Sequence, residues 1–134
     1  MDAMDENSLA KWVKYLSRGK GYASASCDFA ELIWSDAVTQ QQQIELLKTA
    51  DANVRRAVAW AVSDLSRDND AMRYLVNECF NDSDAGVRRN VWFAIRDTQC
   101  LSYDQKQQLV EKLGEEQDKV VLKLVHDVSS ARQL

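Results

Sequence analysis

The side chains that could do chemistry recur as a set. Two guanidinium pairs, Arg55-Arg56 and Arg88-Arg89, each follow an aspartate-bearing turn and precede aromatics, Trp60 in one case and Trp92-Phe93 in the other. Guanidinium forks grip carboxylates or phosphates at two points, and aromatic rings beside them are the combination enriched where proteins hold one another. Binding is the chemistry on offer. Groups for making and breaking bonds are scarce, because a nucleophile needs a base held beside it and the only histidine is His126, with no motif around it. Cys27, Cys79 and Cys100 are widely spaced, with neither a CxxC pair nor a nearby histidine, and read as buried thiols rather than a zinc site.

Other chemistries fail on spacing. A calcium loop opening at Asp82-Ser-Asp84 would need its glycine one place later than Gly86 and a glutamate where Phe93 stands. Gly19-Lys20 lacks the remaining residues of a phosphate-binding loop and follows no strand. Glu115-Glu116 falls in a turn and reads as solubilising charge. The chain is expected to be no enzyme and to need no cofactor or metal.

What positions the recurring set is itself a repeat. Residues 84–97, DAGVRRNVWFAIRD, return the pattern of residues 51–64, DANVRRAVAWAVSD, at an offset of 33 residues. Such a period marks one supersecondary unit stacked on its copy. No proline and only four glycines in 134 residues favour helices throughout. A hydrophobic fraction of 46% with 28% charged residues argues against disorder, no apolar run approaches a membrane span, and the acidic start lacks the order of a secretory signal. A cytoplasmic chain of one domain is expected.

Helical spacing divides it into pairs over about 7–36, 39–66, 69–98 and 102–132. Asn7 or Ser8, Thr39, Asn69 or Asp70, and Ser102 are the expected caps of the outer helices. Leu9, Trp12, Val13 and Leu16 supply the first apolar stripe, and Phe29, Leu32 and Ile33 the second.

An acid-bearing turn followed by Val-Arg, at Asp51 to Arg55 and Asp82 to Arg88, with Val58, Ala61, Val62 and Val91, Ala94, Ile95 behind it, resembles the HEAT repeats and the related armadillo-like repeats. The last unit departs at Leu122, where the arginine would stand, and at Ser129. The resemblance implies an all-α fold, a right-handed α-α superhelix of about four helix pairs, and a scaffolding or binding role. It also implies that Asp51, Arg55, Asp82, Asp84 and Arg88 form a structural ladder between repeats.

At about 100° per residue, Val54, Val58, Ala61, Val62 and Leu65 share the side that faces the outer helix. Opposite them Arg56 and Ser63, Arg89 and Arg96, and Lys123 and Ser130 stack into a basic column on a chain of net charge −4. Trp60, Trp92, Phe93 and His126 occupy its shoulders, where stacking of the family's usual hand would set Trp60 on Trp92 and Phe93 on His126. These aromatics either fill the seams or stay open as anchors. The expected binding set is Arg56, Trp60, Arg89, Trp92, Phe93, Arg96, Lys123 and His126.

Its expected occupant is another protein with an acidic or mixed surface, most specifically a toxin domain held by a bacterial immunity protein. Nucleic acid is the alternative, disfavoured by the acidic remainder of the chain. Leu101, Tyr103 or terminal apolar residues could form a weak contact between copies. No membrane association is expected.

Overall fold

The computed structural model describes residues 4–19, 22–65 and 67–131. Lys20, Gly21 and the side chain of Leu65 lie outside the described residues. Among the described residues there are eight helices and no strand: α1 (Glu6–Ser17), α2 (Tyr22–Trp34), α3 (Gln40–Leu47), α4 (Ala52–Leu65), α5 (Asp70–Glu78), α6 (Ala85–Asp97), α7 (Tyr103–Leu113) and α8 (Lys119–Ser130).

Seven of the starts have a local cause among the described residues. Thr39 and Ser102 close capping boxes with Gln42 and Gln105, while Asn69 accepts from the N–H of Met72. The first cap is Asp5 rather than Asn7 or Ser8, because its carboxylate takes the Ser8 N–H at 2.7 Å and lets the helix begin earlier. Asp84 and Asp118 cap α6 and α8 through Val87 and Val121. Asp51 takes the N–H groups of Asn53 and Val54 at the start of α4. Gly19, at φ 68°, ends the first helix in the left-handed region that glycine enters freely.

Alternate helices form a row in which α4 packs on α2 and α6, and α6 packs on α8. On the other side α3 packs on α5, and each even-numbered helix also packs on the odd-numbered one before it. Helix α4 is the centre. Its Ala57, Ala59 and Ala61 are sealed from solvent, and side chains this small let the neighbouring helices approach closely. Leu75, Val76, Val87, Val91, Trp92 and Ile95 continue the same core.

Several expected surfaces are not surfaces. Trp92 is fully buried, its indole N–H donating to the Phe80 carbonyl at 2.9 Å, so it is a core residue and not a binding anchor. Leu101 is only 8% exposed and has little left to offer a second copy. The thiols divide as well: Cys79 alone is buried, and burial pushes it up to about 12, whereas Cys27 is exposed and Cys100 half-buried.

Candidate functional site

The two arginines of each repeat have separate partners in the next turn. Arg55 donates from Nε and Nη2 to both oxygens of Asp82, at 2.9 and 3.0 Å, and from Nη1 to the carbonyls of Thr49 and Ala50. Arg88 repeats this with Glu116, at 2.7 and 2.9 Å, and reaches the Asp82 carbonyl. Glu116 therefore belongs to the ladder, not to solubilising charge. Its carboxylate side chain is only 4% exposed. Asp51 has the cap role at the start of α4, accepting from the Val54 N–H at 3.2 Å.

The second arginines form a parallel row. Arg56 lies 3.2 Å from Asp84, and Arg89 binds Asp118 at 2.6 and 3.0 Å. Arg56 and Arg89 thus reach equivalent cap residues on the same side of the row. The column is not a bare cationic ridge, since Arg96 pairs with Asp97 and lies 3.8 Å from Asp127, which Lys123 also approaches. His126 is exposed and meets Ser130 at 3.4 Å.

These pairs carry a pH dependence. Arg89, together with the Val121 N–H, holds Asp118 down from its ordinary 3.8 to about 2. Burial pushes Glu116 up, but the Arg88 donors and the Asp118 N–H outweigh it and leave Glu116 low. A carboxylate whose folded value is depressed adds stability above its unfolded value and loses it as pH falls through the folded one. Thermal unfolding is therefore expected to drop most between about pH 4 and pH 2, and the drop should be shallower in Asp118→Asn. Melting temperatures measured across that window check it.

Gly86 has a reason in the same row. A Cβ there would collide with Cδ of Arg56, whose stem crosses the first turn of α6 on its way to Asp84. Alanine improves a helix by roughly 0.5–1 kcal/mol over glycine. Gly86→Ala is expected to show that gain only in an Arg56→Ala background, with no net gain in the wild type, by urea unfolding of the four forms.

Trp60 does not meet Trp92. Its ring packs on Trp34 of α2, with centroids 5.8 Å apart, and the Trp34 indole N–H donates to the Ala61 carbonyl at 2.9 Å. No ring contact joins Phe93 to His126 among the described residues. Trp60 and Phe93 instead open together on one groove of about 440 Å³ between α4 and α6, lined also by Ser63, Asp64, Asn90 and Asp97. Phe93 is 43% exposed, one of few large apolar side chains so open. Arg96 lies over its ring at 5.1 Å while forking Asp97 at 2.9 and 3.2 Å.

No family model, curated protein or solved structure matches the chain. Function therefore rests on the chemistry of these residues.

The groove offers two aromatic rings and a polar rim. Its polar members are two carboxylates, a serine and an amide, and Asn90 is already tied to the Arg56 carbonyl at 3.2 Å. Among the described residues no group of histidine, cysteine, aspartate or glutamate side chains could hold a metal ion. Of the expected set, the structure brings Trp60, Phe93 and Arg96 together, leaves Arg56, Arg89, Lys123 and His126 along the rim of the row, and removes Trp92. Asp64, Asp97 and Asn90 were missed, and Ser63, expected in the basic column, lines the groove as well. The signal for two of them was present, since Asp64 and Asp97 hold the same place in the repeat, as do Trp60 and Phe93.

Proposed function

We propose that the chain is a short HEAT-like solenoid, a right-handed α-α superhelix of four hairpins, acting as a non-catalytic module that docks another protein across the face formed by α4 and α6. The row α2, α4, α6, α8 and the equivalent contacts of Arg55 with Arg88 and of Arg56 with Arg89 support the repeat reading. The observation that carries the binding reading is the exposed Phe93 beside Trp60 in a groove the core does not fill. Open aromatics with a polar rim are what binding hot spots are made of.

The specific form we favour is a bacterial immunity protein that neutralises a toxin in the cytoplasm. Because carboxylates already hold the arginines, the partner surface we propose is basic rather than the acidic or mixed one expected: a toxin that attacks nucleic acid must carry cations for its phosphates, and a chain of net charge −4 complements them. Nucleic acid is the weaker ligand for this face, because carboxylates already hold Arg56, Arg89 and Arg96.

Co-purification from the native cell, with the chain as bait, tests the reading. One protein should be retained in equimolar amount and released by Phe93→Glu, which puts a charge at the centre of the contact. Recovery of nucleic acid alone, or of a protein held equally by Phe93→Glu, would overturn it.

A further inference from the structure

The groove is made of two equivalent steps, and they are not equally complete. In the α6 step an aromatic, a cation and a carboxylate stand together: Phe93, with the Arg96 guanidinium 5.1 Å from its ring centre, and Asp97 taking both arginine donors. The α4 step has the aromatic and the carboxylate at the same repeat positions, Trp60 and Asp64. Where α6 has Arg96, α4 has Ser63, whose hydroxyl is turned onto the Trp60 carbonyl at 2.8 Å. Among the described residues no cation covers Trp60 and none pairs with Asp64.

We infer that the Trp60–Asp64 step receives a cationic side chain from the partner, an arginine or lysine that lies over the indole and ends at the carboxylate. Three features favour this occupant. Indole presents the strongest face of the aromatic side chains to a cation. Asp64 follows Trp60 by four residues, as Asp97 follows Phe93, and lines the same groove as a carboxylate that no side-chain cation pairs with among the described residues, whereas Asp97 is already held by Arg96. The Phe93, Arg96 and Asp97 contacts are the same arrangement, already made one repeat later within the chain. An acidic side chain would meet carboxylates, and an apolar one would leave Asp64 without the charge it faces.

The inference rests on the groove's being the contact surface, and it adds the chemistry of what enters. Its test does not need the partner. The isotopically labelled full chain is titrated with the blocked tripeptide acetyl-Gly-Arg-Gly-amide, with the lysine, leucine and glutamate forms run in parallel, while the indole N–H of Trp60 and the side-chain amide of Asn90 are followed by NMR. The arginine and lysine forms should shift both signals with a dissociation constant on the order of 10 mM, the range for one side chain making one stacking and one charged contact. The leucine and glutamate forms should not.

Asp64→Asn should weaken the response about two- to fivefold. Ser63→Arg should abolish it by supplying the cation within the chain, with the remaining amide spectrum showing the fold intact. Equal responses to the arginine and glutamate forms, no response at all, or an arginine response unchanged in Asp64→Asn and Ser63→Arg would overturn the inference. If the tripeptide fails while Phe93→Glu still releases a co-purified protein, the groove is the docking site and the cation is wrong. If the tripeptide binds as described and no protein co-purifies, the reverse holds.

Discussion

Trp92→Ala is expected to destabilise the fold by about 3–5 kcal/mol, while Phe93→Ala next to it changes stability by under about 1 kcal/mol. The two aromatics are neighbours in sequence and opposites in environment. Trp92 is fully enclosed and its indole N–H satisfies the Phe80 carbonyl. Removing it loses the transfer free energy of a large ring, leaves a cavity in a densely packed interior and strands a buried acceptor. Phe93 has 43% of its surface in water and gives up mainly its contact with Arg96. Urea unfolding of the two variants measures the difference directly. Comparable losses for both would mean that Phe93 is a packing residue, and the groove would lose its anchor.

Arg55→Ala is expected to cost about 2–3 kcal/mol, clearly more than Arg89→Ala. The geometry of the two ion pairs is alike, and their surroundings decide. Arg55 and Asp82 are each 11% exposed along the side chain, and the guanidinium also holds two backbone carbonyls, so its loss leaves a largely buried carboxylate and two acceptors without donors. Solvent reaches the edge of the pair, which keeps the figure below that of a fully enclosed one. Arg89 is 48% exposed, and water replaces much of what it gives Asp118. A double-mutant cycle over Arg55 and Asp82 should show a coupling of about 1–3 kcal/mol. A coupling near zero would mean the ladder joins the hairpins in geometry but not in energy.

Helix content and pairing were legible because period, caps and breaker residues all pointed the same way. The likeness to HEAT repeats also implied that Arg55 reaches an acid of the following turn, which is Asp82. Rotation about each helix was the harder quantity. Counting 100° steps put Trp60 and Trp92 on opposite shoulders of a column, but it could not tell which of the adjacent rings Trp92 and Phe93 turns inward, because that depends on how α5 and α6 tilt against each other. The surroundings of charges were the least visible. The carboxylate partners of Arg56 and Arg89 cannot be read from their own helices, since each is bound by a cap residue of the next hairpin, Asp84 or Asp118. Glu116 looked like surface charge in a turn because its arginine stands 28 residues earlier. The aspartates at 64 and 97 were there to be read, but attention to the arginines hid them.

That the groove of Trp60 and Phe93 is the contact surface, and the arginine row part of the scaffold, is tested most directly by calorimetric titration of the co-purified partner. Three forms of the chain decide it: wild type, Trp60→Ala with Phe93→Ala, and Arg89→Gln with Lys123→Gln. The groove variant should lose about thirtyfold or more in affinity, as truncation of hot-spot aromatics does, and the row variant less than about fivefold. Affinity that survives in the groove variant and collapses in the row variant would contradict the account.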